Sequence, residues 1–265
     1  MKRKESARTR KGEAAIQPTE TATRRKELPG QAQRLKARKL HPWRVSIAEA
    51  KTIQEGLREK LSLKGSPPPR SVKFIAGADI SYQRFSSQAV AGVVVFSWPA
   101  LEVVETRTVS GLLRFPYVPG YLSFREGPLL LRVFERLRTD PQLIFFDGQG
   151  AAHPRGFGLA CHMGLLLDRP AVGCAKSRLC GRTTEPGEQA GSRTPLLDDS
   201  GARIGVTLRT RKGVKPIFVS PGHRIDTEAA ADWAFRACRG YRVPEPTRQA
   251  HLLVNRRRKQ RFESD

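Results

Sequence analysis

Three runs rich in β-branched residues follow one another with almost no chain between them: "VKFIAGADISY" (72–82), "AVAGVVVFSW" (89–98) and "LEVVETRTVSG" (101–111). The links, "QRFSSQ" and "PA", are too short for the crossover that parallel neighbours need. The runs are therefore expected to pair as an antiparallel meander. The pattern then changes to strand–helix alternation. "QLIFFDGQG" (142–150) opens on an uninterrupted apolar run, "GFGLACHMGLLLD" (156–168) has helical length, and "PAVGCAK" (170–176) reads as a short buried strand. That order gives a parallel pair with a crossover helix. "ARIGVTLRT" (202–210) and "KPIFVSPGH" (215–223) add a further pair of strands. The expected class is α/β, with one mixed central sheet (antiparallel meander plus parallel strands) flanked by helices.

The helices carry their own signals. "SIAEAKTIQEGLREKLSLKG" (46–65) has Ser46 and Glu49 at capping-box spacing. "LSFREGPLLLRVFERLR" (122–138) turns Leu130, Val133, Phe134 and Leu137 inward and is expected to carry Pro128 in its first turn. "DTEAAADWAFRAC" (226–238) has Asp226 as N-cap, and "GRTTEPGEQAGSRTP" (181–195) reads as an exposed loop. Residues 1–45 hold 14 Lys or Arg against 4 Glu and few large apolar side chains, so they are expected to form a flexible basic arm. The folded domain is then 46–245, and 246–265, with "NRRRKQR", is a basic tail.

The net charge is +23, of which the arm carries only +10, so the domain itself is basic. A polyanion is the expected partner, because neutralising phosphates releases counterions. No C-x-x-C pair joins Cys161, Cys174, Cys180 and Cys238, which reads as reduced thiols in the cytoplasm. No apolar run is long enough to cross a membrane.

Against that positive background, three acids occupy unusual places. Asp79 lies among apolar residues inside a strand, and Asp147 ends the most apolar strand of the chain, where ligands of open α/β sheets collect. Glu126 opens a helix that can return it to the sheet; alone, it reads as a carboxylate facing the helix dipole. Together they point to a shared hard cation, Mg²⁺ or Mn²⁺, held by oxygen ligands. Lys176 ends a buried strand and needs an anion. His153 follows "DGQGAA" in a loop, within reach of a metal or a phosphate. His223 stands between a strand and a helix start, where an imidazole can orient water or meet a phosphate, or simply occupy a turn. His162, inside an apolar helix, reads as a core histidine.

"PYVPGYLSFREGP" (116–128) places three prolines, two tyrosines and Glu126 in thirteen residues. With "AGADISY", "DGQGAAHPRGFGLACHMGLLLDRPAVGCAKSRLCG" and "FVSPGH", it gives the chain a resemblance to endonuclease V, a deoxyinosine-directed nuclease family of ribonuclease H-like fold. The segments span roughly residues 45–245 in the family's order. The resemblance implies that Asp79, Glu126 and Asp147 bind the metal, with Lys176 in the active site and His223 nearby. It implies that Tyr117, Val118 and Pro119 form a wedge that fills the gap left by an extruded base. Gly120, Leu122 and Gly148, with Gly173, would line the base pocket through their backbones, and His153 would stand on the substrate side. Gln149 occupies a position where many relatives have His, and it takes no metal role.

The implied reaction is metal-assisted hydrolysis of the phosphodiester one nucleotide 3′ of a deaminated purine, leaving 3′-hydroxyl and 5′-phosphate ends. The implied partner is DNA containing such bases. RNA is the alternative substrate, and a non-catalytic nucleic-acid-binding protein of the same fold is the alternative of another class. The "KSRLCG" segment is similar to bacterial members, which favours DNA repair by a cytoplasmic protein, expected to act as a monomer.

Overall fold

The computed structural model describes residues 35–83 and 86–262. Its elements run in the order α1 (Ile47–Arg58), β1 (Phe74–Tyr82), β2 (Gln88–Ser97), β3 (Val103–Leu112), α2 (Leu122–Phe134), β4 (Leu143–Phe146) and α3 (Leu159–Leu167). The second half adds β5 (Ala171–Ala175), β6 (Arg193–Leu197), β7 (Arg203–Leu208), β8 (Ile217–His223), α4 (Thr227–Arg236) and α5 (Glu245–Phe262). One eight-stranded sheet joins the strands in the order β3-β2-β1-β4-β5-β8-β7-β6. The expected meander is present as antiparallel β1–β2–β3, and β1, β4 and β5 are parallel. β8 returns antiparallel to β5, so the sheet is mixed, as its ribonuclease H-like reading requires.

Strand alternation divides the core into two layers. Ala76, Ala78, Val93, Ile144 and Phe146 point to one face, where Leu130 and Phe134 of α2 and Met163 and Leu166 of α3 cover them. Ile75, Val94, Leu143, Phe145 and Val172 point to the other, against Trp233 of α4 and Ala250 and Leu253 of α5. Each fully buried aromatic among them contributes on the order of 1.5–3 kcal/mol. α3 is buried all round, which explains its lack of any polar face. Ser46 and Glu49 close the expected capping box on α1. α2 begins at Leu122, so Pro128 sits inside the helix rather than in its first turn. The segment 181–195, read as a loop, ends in β6, which pairs with β7 at the edge of the sheet.

Two expected boundaries move. Residues 1–34 of the proposed arm lie outside the described residues, but 35–45 are docked on the domain. Leu35 is buried, Trp43 packs over Gly127 and stacks on His162, and His41 Nε2 meets His162 Nε2 at 2.7 Å. His162 also bonds Ser123 Oγ at 2.9 Å, so it is a satisfied core histidine. The supposed tail is mostly α5, which lies along β1 and β2. Its Pro246, Ala250, Leu253 and Val254 are buried, and they form an apolar stripe that the surrounding arginines hide in a count of composition. Residues 263–265 lie outside the described residues.

Contact between α5 and β1 is close enough to require glycine at one position. A Cβ on Gly77 would lie 2.0 Å from the Pro246 carbonyl oxygen. Backbone cannot step aside as a flexible side chain can, so Gly77→Ala should push α5 off the sheet. We expect a loss of about 1–3 kcal/mol in urea unfolding. Wild-type stability in that variant would show that the helix is not seated as described.

Candidate active site

The site starts from one register. β1 and β4 pair in parallel with Ala78 opposite Phe146, so the next residues, Asp79 and Asp147, stand side by side. Both continue the strand face that carries Gly77 and Phe145, the face covered by α5. α5 completes the group by setting His251 Nδ1 2.8 Å from Asp79 Oδ2. Ligand atoms of Asp79, Asp147 and His251 all lie within 4.8 Å of one another. From α2, on the other side of the sheet, Glu126 reaches in as a fully buried carboxyl group. Lys176, just past β5, pairs its ammonium with Asp147 Oδ2.

The electrostatics follow from that crowding. Burial, then the charges of Asp79 and Asp147, hold the Glu126 carboxyl well above the usual range. Asp79 is raised chiefly by burial, and the hydrogen bond from His251 opposes the rise. That bond in turn raises the His251 imidazole. Asp79 and Asp147, with Glu126 buried nearby, outnumber the Lys176 cation that pairs with Asp147, and a hard divalent ion fits oxygen donors so placed.

Next to the acids runs an open groove of about 390 Å³, lined by Tyr117, Val118, Pro119, Gly120, Asp147, Gly148 and Lys176 among others. Tyr117 is 66% exposed at its rim. A smaller pocket shares Gly120, Leu122, Gln149 and Leu179 with the groove and adds Ser123, His153 and Leu159. Gly120 makes the turn between them, with φ +82°, which a side chain rarely tolerates. Its carbonyl accepts three hydrogen bonds, from Gln54 Nε2 at 3.0 Å, His153 Nε2 at 2.9 Å and Arg155 Nη2 at 2.6 Å. His153 is lowered to about 4 by burial, so it is a neutral imidazole that lines the pocket and pins the Pro-rich turn. Gly173 lies behind this layer, under the 148–150 turn; a Cβ there would come within 2.4 Å of Gly150 N.

Of the residues singled out in the sequence, the structure brings Asp79, Glu126, Asp147, Lys176, Tyr117, Val118, Pro119, Gly120, Leu122, Gly148 and His153 to one end of the sheet. It does not bring His223 there. β8 runs antiparallel to β5, with His223 opposite Ala171, so the residue lies at the far end from Lys176. Its Nδ1 accepts from Ser62 N at 3.3 Å and its Nε2 faces Asp168 at 3.7 Å. The histidine that does reach the acids is His251, hidden in a segment read as tail. Its signal was the i, i+4 pair with Asn255, flanked by Ala250, Leu253 and Val254 at helical spacing.

The raised Glu126 carboxyl has a measurable consequence. Folded chain keeps a proton there that unfolded chain has released, so metal-free stability falls as pH rises through that window. Glu126→Gln should flatten this slope, giving a Tm in EDTA above wild type at neutral pH and close to it in mild acid. An unchanged slope would place the carboxyl outside the cluster.

Comparison with known proteins matches this geometry to one family. The Endonuclease V family model matches residues 55–252. An Endonuclease V from Dehalococcoides mccartyi is 47% identical over 220 residues, 83% of this chain and 97% of that protein. The crystal structure of the Endonuclease V from Streptomyces avermitilis aligns with a TM-score of 0.78 at 40% identity, covering 82% of this chain and 95% of that one. The Endonuclease V of Ciona intestinalis, crystallised with a 24mer DNA containing an inosine followed by a ribo-adenosine, aligns with a TM-score of 0.69 at 28% identity, covering 81% and 98%. The chain belongs to the endonuclease V family.

Proposed function

We propose that this protein hydrolyses DNA one nucleotide 3′ of a deaminated purine, with Asp79, Asp147 and Glu126 holding a Mg²⁺ ion, or Mn²⁺ in its place. The observation that carries the reading is the pair Asp79 and Asp147, close enough to share one ion, beside a groove rimmed by the exposed Tyr117, with Glu126 buried where it feels both charges. An ion bound there supplies Lewis-acid stabilisation of phosphate charge and lowers the pKa of bound water. Lys176, paired with Asp147 and lining the groove, would meet a substrate phosphate there. His251 holds Asp79 from the α5 side.

Lesion sensing falls to the Pro-rich turn. Pro116 and Pro119 restrict the backbone before binding, so little ordering entropy remains to be lost when Tyr117 enters the duplex. Stacking on an aromatic is worth about 1–3 kcal/mol per base, comparable to the few kcal/mol needed to extrude one. The extruded base would enter the pocket lined by Gly120, Leu122, Gln149 and His153. The basic surface supplies phosphate contacts. The site is complete within one chain, which supports action as a monomer. No described helix is long and apolar enough to cross a membrane; we place the protein in the cytoplasm, with access to the chromosome.

The test uses matched labelled oligonucleotides, DNA and RNA, each with a single inosine, in Mg²⁺ or EDTA. A cut one nucleotide 3′ of inosine in DNA, absent in EDTA, is expected. Faster cutting of the RNA strand would make the protein an endoribonuclease, and binding without cutting would make it a non-catalytic reader. Asp79→Ala and Asp147→Ala should reduce cleavage to background while inosine binding persists. His251→Ala should slow it strongly and His223→Ala should leave it near wild type; the reverse order would overturn the placement of the two histidines. Tyr117→Ala should weaken binding to the inosine duplex about tenfold and leave undamaged duplex nearly unaffected. Equal loss on both would remove the wedge.

A further inference from the structure

A chain of hydrogen bonds leaves the carboxylate cluster along α5 and ends in the basic helix. Asp79 Oδ2 meets His251 Nδ1 at 2.8 Å, and His251 Nε2 meets Asn255 Nδ2 at 3.0 Å. Asn255 Oδ1 takes the Ser81 hydroxyl at 2.6 Å, and Ser81 Oγ accepts from Arg258 Nε at 3.0 Å. Chemistry fixes the two ends. A guanidinium only donates and an ionised carboxylate only accepts. Ser81 accepts from Arg258 and gives its own hydrogen to Asn255 Oδ1. The amide then turns Nδ2 toward the imidazole, and an NH₂ group only donates. His251 Nε2 must accept, so the one proton of the neutral ring sits on Nδ1, where Asp79 needs a donor.

We propose that Asn255 and Ser81, anchored by Arg258, are positioning residues that hold His251 as its Nδ1–H tautomer and so fix the orientation of Asp79. A free neutral imidazole prefers the opposite tautomer, so the protein is imposing this one. The spacing explains why α5 can do it. His251 and Asn255 are four apart and share one helix face, and Arg258, three further on, continues that face toward Ser81 on β1. Asp79 and Ser81 are two apart on one strand and project from the same side of the sheet. Two parallel rows of side chains, one on a strand and one on a helix, thus close into a single ladder. Its outer end belongs to the basic run Arg256, Arg257, Arg258, Lys259, which ties the acid's orientation to a positively charged surface.

The consequence for function rests on the proposed role of Asp79 in holding a cation, but the tautomer itself does not. Long-range ¹H–¹⁵N NMR of the imidazole rings, on the full chain in EDTA at alkaline pH, reads it directly, with His251→Gln assigning the resonance. Wild type should show Nδ1–H, while Asn255→Ala and Ser81→Ala should move the ring toward Nε2–H. The signals of His153 and His162 should stay in place and show an intact fold. Mn²⁺ affinity and the single-turnover rate on inosine DNA should each fall about 10–100-fold in Asn255→Ala. An Nε2–H ring in wild type, or an unchanged Nδ1–H ring with wild-type Mn²⁺ affinity in Asn255→Ala, would overturn the positioning role whatever the protein cuts. Absence of cleavage with the tautomer in place would instead overturn the cation-site reading.

Discussion

Asp79 and Asp147 are neighbours because β1 and β4 pair in parallel with Ala78 opposite Phe146. A register shift of one residue would turn one acid to the opposite face of the sheet and dissolve the pair. The register is held by burial on both faces, with Ala78 and Phe146 under α2 and α3 and Phe145 under α4 and α5. Two carboxylates about 4 Å apart repel by about 4 kcal/mol at an effective dielectric near 20. The hydrophobic layers therefore hold together charges that would otherwise separate, and the site is left wanting a cation. Lys176 answers part of that need through Asp147, and the rest defines the ligand.

The other parts of the site are arranged around this pair. α5 crosses β1 where Gly77 lets its backbone approach, which brings His251 to Asp79. α2 delivers Glu126 from the opposite layer and begins at Leu122, directly after the Pro-rich turn, so the turn and this buried carboxyl group follow one another in a single short segment. The turn is pinned from behind by the three donors on the Gly120 carbonyl.

Much of this could be read from the residues. Short links forced the meander, an unbroken apolar run forced a central strand, and acids at the ends of such runs marked the site. His223 could not be placed that way. A histidine between a strand and a helix looks the same whether its strand runs with its neighbour or against it, and β8 runs against β5. His251 was obscured by its setting, since five apolar or small residues carry α5 onto the sheet within a segment otherwise dominated by arginine. The docking of 35–45 depends on Leu35 and Trp43, two side chains in a run whose average composition is that of a solvated arm. Average composition describes a segment's solubility; single well-placed apolar residues decide whether it packs.

The central claim is that the carboxylates of β1 and β4 exist to hold a cation beside the groove. Crystals grown or soaked with Mn²⁺ test it most directly, through anomalous density at the manganese edge. The account predicts one strong peak between the Asp79 and Asp147 carboxylates, lost in Asp147→Ala. Occupied manganese elsewhere, such as at Asp168 with its neighbouring arginines, and none between Asp79 and Asp147, would contradict it.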